Sequence, residues 1–140
     1  MPPIEKNTWI CPHCGRNFSR KNQFHNCDLY LIEQHHLLKA DPTTKALFYF
    51  VIETIRKFGP VLLEPLKSII ALKKKSQFCS IHVQIKTLKI QFRNYTQINS
   101  LRFNRTSQQG KMYYYEFLLK SQEDFDEELI SWLHLAYDQN

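Results

Sequence analysis

An α+β fold is predicted for this 140-residue chain: a small cysteine-rich amino-terminal module, then a helix, an antiparallel sheet of about five strands, and a closing helix. Three observations carry that prediction. Three of the 4 cysteines fall between Cys11 and Cys27. Apolar residues recur at helical spacing after Thr44 and again after Ser121. Between those stretches, from Val61 to Lys120, the apolar period is two.

In chain order, the first module spans residues 1–40 and ends in a short helical run, Leu31–Leu38, carrying His35 and His36. The stretch LLKADPTT (37–44) is a connector, because a residue before proline disfavours helix. Thr43 or Thr44 can cap the next helix. The second module, 41–140, opens with that helix on Leu47, Phe48, Val51, Ile55 and Phe58, stopped by Gly59-Pro60. A short strand is expected at Val61–Glu64 and another at Lys67–Lys74. Cys79, Ile81, Val83 and Ile85 alternate with polar residues, as do Leu88, Ile90 and Phe92, and Tyr113, Tyr115, Phe117 and Leu119. Leu101 and Phe103 flank Arg102 as a further strand. Each strand has one apolar face, so two helices should cover one side of the sheet and leave the other wet. The last helix is capped by Ser121, with Glu123, Asp124, Asp126 and Glu127 where the helix dipole favours acids. Its apolar stripe is Phe125, Leu129, Trp132, Leu133 and Ala136.

Composition excludes several classes. With 43% hydrophobic and 14% aromatic residues the chain is too apolar for disorder. No apolar run reaches the ~20 residues a membrane-spanning helix needs. The start lacks a basic and then apolar leader, so a reducing, cytoplasmic setting is expected, where clustered cysteines bind metal more often than they form disulfides. The 3 glycines, Gly15, Gly59 and Gly110, are too scattered for a phosphate-binding glycine loop.

The strongest chemical signal is Trp9-Ile10-Cys11-Pro12-His13-Cys14-Gly15, followed by Phe24-His25-Asn26-Cys27. Cys11 and Cys14 are spaced as a knuckle, and His25 and Cys27 add two ligands. Three thiolates and one imidazole make a closed tetrahedral set, the usual arrangement for structural zinc. His13 is the alternative imidazole, disfavoured by its place inside the knuckle. With so few apolar groups nearby, ion binding and folding should be one event here. Cys79, on an apolar strand face, reads as a core thiol. No Ser/His/Asp or paired-carboxylate set can be assembled from spacing.

The net charge of +6 hides an asymmetry. From Arg56 to Lys111, twelve Lys/Arg stand against Glu64 alone; from Met112 onward, Lys120 stands against seven acids. Lys89, Arg93, Arg102 and Tyr114 are expected on the sheet face opposite the core. A basic face with an aromatic is what single-stranded nucleic-acid platforms use, and a solvated face balancing the acidic helix is the alternative. Lys73, Lys74 and Lys75, expected in a turn, could hold phosphate.

These residues resemble a bacterial family, domain of unknown function 5655, and the cysteine motif that often precedes it. The motif is carried by Trp9, Cys11-Pro12-x-Cys14-Gly15-Arg16, Phe18, and Asn22-Gln23-x-His25-x-Cys27. Phe58-Gly59-Pro60-Val61, then Lys67, Ile70 and Phe78, continue the likeness, with Leu72 where an aromatic is more usual. Phe125-Asp126-Glu127-Glu128-Leu129 with Trp132-Leu133 and Ala136-Tyr137 is similar to the closing helix. The resemblance implies no established activity and a distant similarity to small YdhG-like domains. The family's strand stretch is commonly Arg-rich, whereas lysines replace much of that here, and Lys acts as a point charge rather than a fork. The leading expectation is a non-enzymatic binding or adaptor protein with structural zinc, its partner a protein or nucleic acid and not a membrane, presenting Arg16, Arg20 and Lys21. The alternatives are a nucleic-acid binder using the sheet face, and an enzyme with a site between sheet and zinc module, which would need a cleft where His35, His36 or His82 converge.

Overall fold

The structure, a computed structural model, describes residues 9–13, 15–25 and 27–140. Two short strands, β1 (Trp9–Ile10) and β2 (Asn17–Phe18), pair antiparallel with Trp9 opposite Phe18. Helix α1 (Cys27–Leu31) runs into one wide π turn, Ile32–His36, closed by the Leu37 N–H on the Ile32 carbonyl at 2.9 Å. Helix α2 (Pro42–Arg56) comes after it. Then come β3 (Leu62–Pro65), β4 (Ile70–Lys73), β5 (Gln77–Val83), β6 (Leu88–Asn94), β7 (Arg105–Gln109) and β8 (Met112–Leu119). A 3-10 turn, Gln122–Asp124, leads to α3 (Glu127–Gln139).

The six strands form one antiparallel sheet in the order β3-β4-β5-β6-β8-β7. Its helix-facing side aligns Leu72, Cys79, Phe92 and Tyr115 in one row, and Ile70, Ile81, Ile90 and Phe117 in the next. All eight are buried. Helix α2 covers them with Leu47, Phe48, Val51, Ile52 and Ile55, and α3 with Leu129, Leu133, Ala136 and Tyr137. The expected layering of two helices on one sheet face therefore holds.

Several boundaries differ from the sequence expectation, each for a local reason. The sheet has six strands rather than about five. The strand that was not expected is β7, whose five residues are all exposed. An edge strand wet on both faces has no apolar alternation to read. Leu101–Phe103 is not a strand; it is a turn region in which Leu101 is fully exposed and Phe103 meets Phe92, Tyr115 and Trp132 at ring distances of 5.9, 4.6 and 4.9 Å. Strand β4 starts at Ile70, because the Leu66 N–H bonds the Ile69 carbonyl in a tight turn. Strand β5 ends at Val83, where the Gln84 N–H bonds the Thr87 carbonyl and closes a hairpin. A bulge shifts register between β4 and β5, so Lys73 faces Gln77 and Phe78 is the extra residue. Phe78 is thereby fully buried, edge-on to Tyr137 at 5.3 Å.

The helix starts also shift. Asp41, not Thr43 or Thr44, is the N-cap position of α2, with Pro42 in the first turn where its missing N–H costs nothing. Thr44 instead donates its hydroxyl to the Ile85 carbonyl at 2.9 Å, which also accepts the Asp41 N–H at 2.8 Å. Ser121 precedes only the 3-10 turn, where the Asp124 carboxylate accepts from the Lys120 and Ser121 N–H groups at 2.8 and 3.1 Å. The true cap of α3 is Asp126, which accepts from the Leu129 N–H at 3.2 Å.

Candidate metal centre and sheet-face residues

Cys11 comes directly after β1, and the chain turns back at once: the Gly15 N–H reaches the Cys11 carbonyl at 2.7 Å and the Cys11 N–H the Arg16 carbonyl at 2.9 Å. Gly15 sits at φ +77°, a backbone state glycine adopts without steric cost. A second tight turn, with Asn22 at φ +56°, leads to His25 and then to Cys27, the first residue of α1. These two turns bring three ligand atoms together. Cys11 Sγ lies 3.5 Å from Cys27 Sγ, and Cys27 Sγ lies 2.8 Å from His25 Nε2. All three lie within 4.8 Å of one another, so they could hold a metal ion.

The surroundings fit an ion. His25 Nδ1 lies 2.7 Å from the Gln23 carbonyl, which fixes the proton on Nδ1 and leaves the Nε2 lone pair facing the sulfurs. Phe18 stacks on the His25 ring at 4.1 Å, and Trp9, 6.1 Å from Phe18, meets the His25 ring edge-on at 6.1 Å. The Arg16 guanidinium lies 4.1 Å over the Tyr30 ring, tying the end of the first turn to α1 through the cation and the ring face. Cys11 is 4% exposed. If both were deprotonated, two sulfurs this close would repel unless a cation sat between them, and a sulfur separation of 3.5 Å is far longer than the ~2.05 Å of a disulfide. Cys14, the remaining ligand expected from spacing, lies outside the described residues. His13 is exposed, and the imidazole of the cluster is that of His25.

Cys79 is buried among the apolar residues of β5, and desolvation pushes its thiol far up from the ordinary range. It is a core side chain, as its strand position suggested.

The basic residues expected on the sheet face separate into two groups. By register, Lys89, Arg93 and Tyr114 lie on the open face, with Arg93 directly opposite Tyr114. Together with Gln77, Ser80 and Gln91, Arg93 and Tyr114 line a shallow depression of about 260 Å³. Arg102 is elsewhere. Its guanidinium reaches Asp126 at 2.8 Å and Glu128 at 3.0 Å, and both acids raise its pKa further. The reason is the missing strand: a turn at Leu101–Phe103 aims Arg102 at the start of α3 instead of across the sheet. Lys73 ends β4 and pairs with Glu64 at 3.1 Å, whereas Lys74 lies over the Tyr137 ring at 4.6 Å. Lys75 is exposed in the β4–β5 turn, as expected of that run.

His35, His36 and His82 converge. They line one open groove beside the end of β5, although 46 positions separate His36 from His82. Burial lowers the pKa of His36, and the neighbouring His35 and His82 lower it further. Sequence spacing carries no signal for this meeting, because it depends on the π turn and on the tie between Asp41, Thr44 and Ile85.

Among known proteins, a family model described as Domain of unknown function (DUF5655) matches residues 33–140. That span covers α2, the sheet and α3 and stops short of the cysteine and histidine ligands. No curated protein and no solved structure matches the chain.

Proposed function

The chain belongs to the DUF5655 family, and we propose that it is a non-enzymatic binding or adaptor protein whose amino-terminal segment is held by one structural zinc ion. The observation carrying this reading is the convergence of Cys11 Sγ, His25 Nε2 and Cys27 Sγ within 4.8 Å. Soft sulfur donors with one imidazole suit zinc better than a hard cation. Cys14, one knuckle step from Cys11, is the natural fourth ligand, and four protein ligands leave no position open for a reacting water. Bound there, the ion supplies a cross-link between the end of β1 and the start of α1.

That cross-link would display the exposed Arg20, Lys21 and Phe24 on a fixed turn, the last 97% exposed. A basic turn with a bare aromatic suits a protein partner. The test is metal content of protein purified without chelators. About one zinc per chain is expected, with Cys11, Cys14 and Cys27 shielded from alkylation until a chelator is added. Protein that carries no metal and alkylates at once would overturn the assignment.

One observation favours a second reading, binding of single-stranded nucleic acid: Lys89, Arg93 and Tyr114 share the open face. With Arg102, Lys73 and Lys74 engaged elsewhere, that platform is small. It predicts oligonucleotide affinity that falls steeply with salt. Undetectable binding at low salt would remove it.

A further inference from the structure

We propose that the groove where His35, His36 and His82 meet is a binding site for a small phosphate-bearing anion. The groove has a volume of about 600 Å³. Its polar lining consists of His35, His36, His82, Lys39, Gln34 and Gln84, every one able to donate a hydrogen bond. No carboxylate is among its described lining residues.

The site is built into the fold. Ile32 and Leu37, at 1% and 2% exposure, anchor the π turn in the core on either side of the two histidines. The Ile85 carbonyl holds the start of α2 against the β5–β6 hairpin through Asp41 and Thr44. These anchors are apolar and backbone contacts that involve none of the three metal ligands, so the groove is independent of the proposed zinc.

The electrostatics point to an anion. His36 faces His35 on its own turn and His82 on β5, and the Leu66 carbonyl favours its protonated form. Lys39 stands on the same segment, and Lys89 of β6 is directly opposite His82. Of the two acids flanking the segment, Glu33 is occupied by the Tyr49 hydroxyl at 2.9 Å, and Asp41 stands at the N-cap position of α2, outside the described lining. Cationic and potentially cationic groups therefore gather without a counter-charge in the groove. A phosphate monoester, with about −1.5 to −2 charge near neutral pH and three strong acceptor oxygens, matches a groove whose described polar lining can all donate hydrogen bonds. The groove is wider than inorganic phosphate alone requires, which leaves room for the organic part of a small phosphorylated molecule. Burial holds the His36 pKa below its ordinary value, and a bound anion would favour its protonated form.

The test titrates inorganic phosphate into the intact, metal-loaded protein while the imidazole C–H signals of all 6 histidines are followed by NMR. His35, His36 and His82 are expected to shift together and saturate, with His134 unmoved. His82→Gln, on the sheet surface, and Lys39→Ala, on an exposed side chain, should each weaken binding by about tenfold. Signals that drift without saturation, or that move equally at all six histidines, would overturn the site. Acetate competing as well as phosphate would overturn the phosphate assignment.

Discussion

The chain holds itself together in two different ways. The stretch from Trp9 to Leu31 rests on three ligand atoms, one stacked ring and two tight turns, whereas residues 42–139 rest on a continuous apolar core between one sheet face and two helices. Among its described residues the first region buries little beyond Cys11, and Phe24 and Ile10 are both exposed. In the second, Phe48, Phe78, Phe92 and Phe117 are all under 2% exposed. A short segment with so few buried groups cannot offset its conformational entropy by burial alone, and the ion proposed at Cys11, His25 and Cys27 would supply the difference. The family match respects the same division, covering the core-built region and omitting the ligand-built one.

Removing the ion breaks the comparison most sharply. A chelator should unfold residues 9–31 only, since metal binding at such sites is worth roughly 10–16 kcal/mol. Thermal melting followed by circular dichroism should keep the sheet transition, and hydrogen exchange should show loss confined to the amino-terminal amides. Next is Phe92→Ala, which empties the meeting point of Phe103, Tyr115 and Phe117. A loss of about 3–5 kcal/mol is expected in denaturant unfolding, with zinc content per folded chain unchanged. Gly59→Ala comes third. At φ +146°, a side chain there is strained, and its Cβ would overlap the Tyr137 hydroxyl that donates to the Pro60 carbonyl at 3.0 Å. Roughly 1–3 kcal/mol should be lost.

The smallest effect is Asp126→Ala, which removes the cap of α3 and one partner of Arg102. About 1 kcal/mol is expected. Arg102 is the chief cause holding the Asp126 carboxyl below its usual range. Its folded pKa is thus below the unfolded one, near 3.9. The contribution is complete above that value and is lost as pH falls through the folded pKa. Acid unfolding of the variant should therefore converge with that of the parent chain once the pH falls below the folded Asp126 pKa.

Legibility in the sequence obeys the same physics. Residues whose period reports burial are legible: the α2 and α3 stripes, the alternation in β5, β6 and β8, and the buried Cys79. Three of the four expected ligands, Cys11, His25 and Cys27, are legible as a cluster that could hold a metal, because they are close in sequence as well as in space. Strand β7 is not, since Arg105–Gln109 buries nothing on either face. Nor is the bulge that turns Phe78 inward, which is a register event between two strands. Spacing puts Arg102 on a sheet face because Leu101 and Phe103 look like alternating neighbours, yet only Phe103 is drawn into the aromatic cluster. The meeting of His36 with His82 depends on tertiary ties that no short-range pattern encodes.

The two borders of the sheet are protected unequally. On one border, β7 presents Arg105 and four polar residues to water, which discourages a second sheet from adding there. On the other, β3 carries the exposed Leu62 and lies beside α1, with His25, Cys27 and Phe24 around Leu62 and Leu63. The segment carrying the Cys11–His25–Cys27 cluster therefore stands beside an apolar strand border and shields it only in part. Stripping the ion should make chains associate through β3, so that light scattering rises after chelation while the sheet itself is still folded.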